Sequence, residues 1–394
     1  MKCRAILLSL GIVLLIQNAF ASPKTDSIVA FLGGKQAKAV WTKWAWCNDD
    51  YTPKSRSAAQ TCYSSVEFLD TRTGTQHTLA TAINNPFLVR ISKSGKWVTF
   101  VDKTNNSYIV DLTNPSAGKK TLMSKSSYTY WAPGAWWIDT TTKEEYLFCI
   151  DNCIFPESNN SGGTGIVKVK INSDGTVNHA SKQTLTINGL TAPTDVSRPV
   201  EIMMSVSADG KKLGGAFPWP DTKILDIPTG RLDTRHSSSD LFGCQTNLAP
   251  DNSYRFFHCQ GDHQGLWMFD KDMINTNWFV NLRRNLVGFS TSGYTLEEPR
   301  WTNDVQYFTA TTGGEDVVGS FAWVHMNYAG DDFPESVFSL SASGVKALGP
   351  TKVTRFYLGK FSSDFKNQEK TIMIAYDNRY AQGRGELWVE TDPV

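Results

Sequence analysis

An all-β chain folded as a six-bladed β-propeller is what this sequence predicts, from three observations. Short alternating or apolar runs are punctuated by Gly, Pro, Asn, Asp and Ser roughly every 8–12 residues, with no long amphipathic helical period. One strand–turn–strand–loop–strand unit recurs along the chain. The two ends of the chain carry complementary fragments of that unit.

The recurring unit is read in LVRISKSGKWVTFVDKTNNSYIVDL (88–112), IMMSVSADGKKLGGAFPWPDTKILDI (202–227) and GCQTNLAPDNSYRFFHCQGDHQGLWMFD (243–270). Each is a strand, a tight polar turn, an apolar strand, a polar loop and a strand closing on an acidic residue. PRWTNDVQYFTATT (299–312) begins the unit again, and GAWWIDTTTKEEYLFCID (134–151) is a looser copy. Such a unit cannot bury both of its faces alone, so copies stacked radially around a channel make the core. The C-terminal RGELWVETD (384–392) reads as a lone first strand, and AKAVWTKWAW (37–46), SSVEFLDTRTG (64–74) and TQHTLA (75–80) as three strands lacking a first. Joining them closes the ring as a one-plus-three blade. Five further blades begin near 87, 134, 202, 243 and 299, which makes six; a seventh follows if 315–350 forms strands of its own.

Ser207-Ala-Asp-Gly210 and Ala249-Pro-Asp-Asn252 are the sharpest copies of the turn, with Ser92-Lys-Ser-Gly95 and Thr302-Asn-Asp304 degenerate. On these turns, residues 86–310 resemble the WD-like propeller repeats of the TolB type, whose blades carry a Ser-Pro-Asp-Gly turn between first and second strands. The resemblance implies the fold. TolB's N-terminal α/β domain has no counterpart here, so its partner-binding role does not transfer with the repeats.

The opening Met-Lys-Cys-Arg, the apolar run Ala5–Ile16 and Ala19-Phe-Ala21 have the parts of a secretory leader, cleaved after Ala21. The apolar run is too short to span a bilayer, so no membrane insertion is expected. Residues 22–394 are then a single secreted or periplasmic propeller domain with a long loop insertion at about 313–352. Formal charge is +1 without a block of like charge, which excludes nucleic acid as a partner. Beyond the leader lie Cys47, Cys62, Cys149, Cys153, Cys244 and Cys259, an even set read as disulfides with sequence-local pairing the simplest choice. Cys149 and Cys153 have nearly the spacing of two zinc ligands, but no second Cys/His pair follows, so no metal is predicted. No cofactor is predicted either, although a structural divalent cation stays open.

In a propeller the first strand runs along the channel, so the Asp-Gly turns share one end and the loops between second and third strands share the other. Residues 48–63, 150–165, 218–221, 260–265 and 313–352 crowd that loop end. Cys244 and Cys259 lie at equal distances from the turn centre and face each other across a hairpin, while Cys47 with Cys62 and Cys149 with Cys153 clamp loops. His258 and His263, with Asp262 between, offer a general base or two metal ligands; the plainer reading is a loop histidine bonded to backbone. Trp219, flanked by prolines and followed by Asp221, is either a presented stacking platform or a plug packed on the next blade. Arg198, and Glu298 with Arg300 and Trp301, come just before first strands at the channel mouth, placed to clamp an anion or to close an ion-pair ring.

No nucleophile elbow, zinc-protease helix or phosphate loop is present. With 13 Trp, 13 Tyr and 21 Phe, the expected function is binding of an extracellular glycan or protein segment by a monomer. Two rivals share the architecture. One is a polysaccharide lyase acting on a uronate-containing glycan, with His258 or His263 as base and Arg300 or Arg198 as cation. The other is a TolB-like periplasmic protein-interaction scaffold.

Overall fold

The computed structural model describes residues 36–44, 63–84, 87–102, 106–124, 131–151, 162–163, 165–189, 200–201, 204–216, 222–233, 243–254, 256–260, 265–269, 276–281, 295–301, 307–313, 320–325, 356–360, 372–373 and 387–391, with Val29 and Gly34 besides. These residues form an all-β architecture. The first meander is β1 (Ala37–Trp44), β2 (Tyr63–Asp70) and β3 (Thr75–Asn84). The second sheet is β4 (Phe87–Ile91), β5 (Trp97–Val101), β6 (Ser107–Asp111) and β7 (Lys120–Met123). In the third region come β8 (Trp131–Ile138), β9 (Glu145–Asp151), the short β10 (Gly162–Gly163), β11 (Gly165–Ile171) and β12 (Val177–Thr184). Strand β10 leaves that sheet and pairs with β13 (Val200–Glu201).

The fourth sheet is β14 (Ser205–Val206), β15 (Lys212–Ala216), β16 (Thr222–Asp226) and β17 (Arg231–Asp233). The fifth is β18 (Gly243–Leu248), β19 (Phe256–Gln260), β20 (Gly265–Phe269) and β21 (Thr276–Asn281). The sixth is β22 (Thr295–Trp301), β23 (Tyr307–Gly313), β24 (Ser320–His325), β25 (Phe356–Lys360) and β26 (Ile372–Met373), antiparallel except where β25 runs parallel to β24. Finally β27 (Leu387–Thr391) pairs antiparallel with β1, so the first sheet runs β27-β1-β2-β3 from both ends of the chain.

The sheets thus start close to where the repeats place them. Two expectations change. The insertion at 313–352 carries strand β24, which joins the sixth sheet as its third strand instead of founding another. Glu298, Arg300 and Trp301 lie inside β22, not ahead of it, because the strand accommodates Pro299 at a bulge between Glu297 and Arg300, a place where a missing N–H leaves no gap in the ladder.

Side chains alternate faces along each strand, and that alternation sorts the core into layers between consecutive sheets. Val98 and Phe100 of β5 pack with Val40, Val66 and Phe68 of the first sheet, whereas Trp97 on the opposite face of β5 packs with Trp136, Leu147 and Val167 of the third. Phe148 and Ile150 of β9 turn the other way, onto Met204, Val206, Leu213 and Leu225 of the fourth sheet. Ile224 then packs on Leu248 and Phe256 of the fifth. Contacts between strands of neighbouring sheets follow the same succession: β1 with β4, β4 with β8, β8 with β14, β14 with β18, and β18 with β22. Strand β27 touches β4 on one side and β22 and β23 on the other.

The tight turns of the second and fourth sheets strap each of those sheets to both of its neighbours. In the fourth sheet Asp209 closes its own turn, accepting from Ser207 Oγ at 2.6 Å and Lys211 N at 3.0 Å. Trp137 Nε1 of the third sheet donates to Ala208 O at 2.8 Å. On the far side Asp209 N donates to Asn252 Oδ1 at 2.9 Å, and Tyr254 OH of the fifth sheet donates to Asp209 Oδ2 at 2.6 Å. That donation, followed by burial, pushes the Tyr254 phenol up to about 12. The degenerate turn of the second sheet keeps the pattern with other atoms: Lys38 Nζ donates to Gly95 O at 2.7 Å, and Ser94 N to Glu145 Oε1 at 3.1 Å. The turn motif is therefore inter-sheet fastening, which is why it reports fold and not function.

Candidate functional site

The opposite end of the sheets carries the loops, and there the second and third sheets present a group of buried polar residues. Asp102 follows the last residue of β5 and is 5% exposed. It accepts from Asn106 N at 3.1 Å and from Tyr108 OH at 2.9 Å. Burial first, and then the bond to Asp102, push the Tyr108 phenol up to about 12, so the phenol stays protonated and the carboxylate is engaged. These bonds tie the end of β5 to the start of β6.

Ser107, fully buried on β6, reaches across to the third sheet and donates to Trp131 O at 3.4 Å. Trp131 opens β8 and is directly opposite Asp151, the last residue of β9, which is in turn opposite Gly165, the first residue of β11. Directly opposed residues share a sheet face, so the three form one row across three strands. Trp131 is 7% exposed. Among the described residues, neither Trp131 Nε1 nor Asp151 Oδ1, both buried, has a hydrogen-bond partner. From β12, His179 lies 5.8 Å from the Trp131 ring and the Lys182 ammonium 4.6 Å from its centroid.

A second feature recurs on the first strands. Strands β4, β8, β18 and β22 each carry a bulge, between Phe87 and Arg90, Pro133 and Ala135, Gly243 and Gln245, and Glu297 and Arg300. Arg90 is fully buried and donates to Val89 O at 2.8 Å and Gly134 O at 3.0 Å, carbonyls belonging to its own bulge and to that of the next sheet. Bulges take carbonyls out of the ladder, and a guanidinium returns bonds to them. Arg300 occupies the same register position in β22: it is the first paired residue after the bulge and stands opposite Thr309, as Arg90 stands opposite Thr99.

Of the residues expected at a site, His258 lies in the middle of β19, opposite Thr246 and Trp267, and Cys259 opposite Gln245 and Leu266. The bulge at Cys244 sets that residue one place out of step, so Cys244 and Cys259 are neighbours across the strand pair without the direct opposition that a count from the turn centre gives. Trp301 stands opposite Phe308 at the turn end of β22, and Glu298 in its bulge. Arg198, Trp219, Asp221, Asp262, His263, Cys47, Cys62 and Cys153 lie outside the described residues. The expected tie between Cys149 and Cys153 is corrected at its first member: Cys149 is a free thiol at 0% exposure, packed between Trp97, Trp136 and Val167, and burial, with the Asp151 charge adding, pushes it well up. Its side chain faces the packing layer between the second and third sheets, where it acts as a small hydrophobe.

Sequence reading missed Arg90, Asp102, Trp131 and Asp151. A signal for the two acids was available, since Phe-Val-Asp102 and Cys-Ile-Asp151 place an acid at or just after the end of the second strand in consecutive units. Among the described residues no group of three or more His, Cys, Asp or Glu is placed to hold a metal ion, and no helix is long and apolar enough to cross a membrane. Comparison with protein-family models returns no match, and comparison with curated proteins returns none either.

Proposed function

We propose that the chain is an exported six-bladed β-propeller with TolB-like repeats, closed by its one-plus-three first sheet, whose loop end binds an extracellular ligand, a glycan or a protein segment. The observation that carries the architecture is the succession of layers: each sheet packs on the next in chain order, and β27 touches strands of both the second and the sixth sheets. The turn end is taken up by straps between sheets. The loop end is where buried polar atoms remain without a partner among the described residues, and unsatisfied buried groups in a native fold call for a water, ion or ligand.

The lyase reading needs a cation, Arg300 or Arg198, beside His258 or His263. Arg300 shares the register position at which Arg90 binds backbone carbonyls, which favours a fastening role for it over a catalytic one. The test is native affinity electrophoresis of residues 22–394 in gels carrying neutral or acidic polysaccharides, alongside absorbance at the unsaturated-uronate band. Retarded migration in at least one gel with flat absorbance is the expected result. An absorbance rise abolished by His258→Ala or His263→Ala would replace binding with a lyase. Free migration in every gel, together with capture of one envelope protein by the folded bait, would replace the glycan with a protein partner.

A further inference from the structure

We infer that the row Trp131, Asp151 and Gly165 at the loop end of the third sheet is a receptor for one hydroxyl group of a bound saccharide. This rests on the ligand-binding reading above and narrows it to a carbohydrate and to a place. Two buried polar atoms stand without a partner among the described residues, one a pure donor, Trp131 Nε1, and one an acceptor, Asp151 Oδ1. They belong to directly opposed residues on one sheet face.

The chemistry of that pair is selective. An anion would accept from the indole but be repelled by the carboxylate. An ammonium group would donate to the carboxylate but has nothing with which to accept from the indole. A hydroxyl does both through a single oxygen, accepting N–H···O and donating O–H···O⁻, the second being a charge-assisted bond.

A water molecule has the same capacity, and the third member of the row separates the two cases. A Cβ placed on Gly165 would meet no described atom within 4 Å. Among the described residues, the rim of that face at Gly165, beside Asp151, is therefore open where the rest of a sugar ring would lie. The indole edge is also held in position. Lys182 and His179 pack on the ring, and Ser107 holds the Trp131 carbonyl. A donor fixed in this way loses little conformational freedom when a ligand arrives.

The test follows the indole N–H resonances of the uniformly ¹⁵N-labelled protein, residues 22–394, with Trp131 assigned by Trp131→Phe. Oligosaccharides of cellulose, chitin, mannan, pectin and alginate are titrated in turn. With the saccharide that binds, the Trp131 resonance moves and saturates. Gly165→Leu, which fills the open space, weakens that binding by about tenfold or more, and Asp151→Asn by about tenfold through loss of the charge-assisted bond. Both variants keep the wild-type melting profile.

A saccharide that binds while the Trp131 resonance stays still, with both variants binding like wild type, overturns the receptor and leaves the ligand-binding reading intact. A still resonance that is protected from exchange means a buried water only and likewise overturns it. No saccharide bound at any concentration overturns the carbohydrate assignment and the glycan half of the proposed function together.

Discussion

Replacing Gly210 by alanine tests whether the turn straps hold the sheets together. Gly210 has φ +68°, and a Cβ built on it lies 2.6 Å from Trp137 Cε2 and 2.7 Å from Cζ2. Three effects add. Alanine in the left-handed region costs about 1 kcal/mol. The ring must move against its packing beside the layer of the third and fourth sheets, which overpacking data put at about 1–2 kcal/mol. Moving it lengthens the 2.8 Å bond from Trp137 Nε1 to Ala208 O, worth about 1 kcal/mol. The sum is about 3 kcal/mol of destabilisation.

Urea unfolding followed by tryptophan fluorescence measures it, with the midpoint expected to fall and the slope unchanged. Gly165→Ala is the control: its Cβ meets no described atom within 4 Å, and its effect should stay below about 0.5 kcal/mol. In a Trp137→Phe background the alanine at 210 should lose part of its effect, a coupling of about 1 kcal/mol. A Gly210→Ala protein that unfolds within about 0.5 kcal/mol of wild type would refute the reasoning.

Two further outcomes follow from charges and thiols. Lys212 Nζ, 2.6 Å from Asp226 Oδ2, holds the Asp226 carboxyl down at about 2. A depressed folded-state value stabilises above the unfolded value of about 4 and is lost as pH falls towards 2. The stability difference between wild type and Asp226→Asn should therefore be flat above about pH 5 and vanish near pH 2, staying below about 1 kcal/mol because both side chains are roughly a quarter exposed and solvent screens them. A difference that persists unchanged down to pH 2 would remove the pair's role. Cys149, fully buried with its thiol pushed up, should resist iodoacetamide in the folded protein and react once denaturant is added, read by peptide mass spectrometry. Rapid alkylation of the native protein would show that β9 is not packed as described.

Much of the fold was legible because it repeats. The starts read at 87 and 243 coincide with Phe87 and Gly243, and those read at 134, 202 and 299 fall within a few residues of Trp131, Ser205 and Thr295. The pairing of β27 with β1 was legible because each end of the chain holds the fragment the other lacks. Bulges were not, since one extra residue leaves the hydrophobic alternation on either side intact, and it is a bulge that moves Cys244 out of step with Cys259. Strand β24 was hidden in the insertion because its parallel pairing with β25 joins segments far apart in the sequence. The site was least legible. A lone arginine in an apolar run, such as Arg90, carries no mark of its acceptors, and Trp131 meets Asp151 only through the register of β8 against β9.

The pairing of β27 on β1 also sets an order of events during biosynthesis. Strand β27 is made after every other described strand, so the outer edge of β1 waits for all of them before its ladder is complete. Until then it is an exposed edge on which a second molecule can template itself. Premature termination upstream of Leu387 leaves that edge open for good. Such a product can be well packed in its middle sheets and still be the one that associates, which makes Leu387–Thr391 guardians of solubility in the nascent protein.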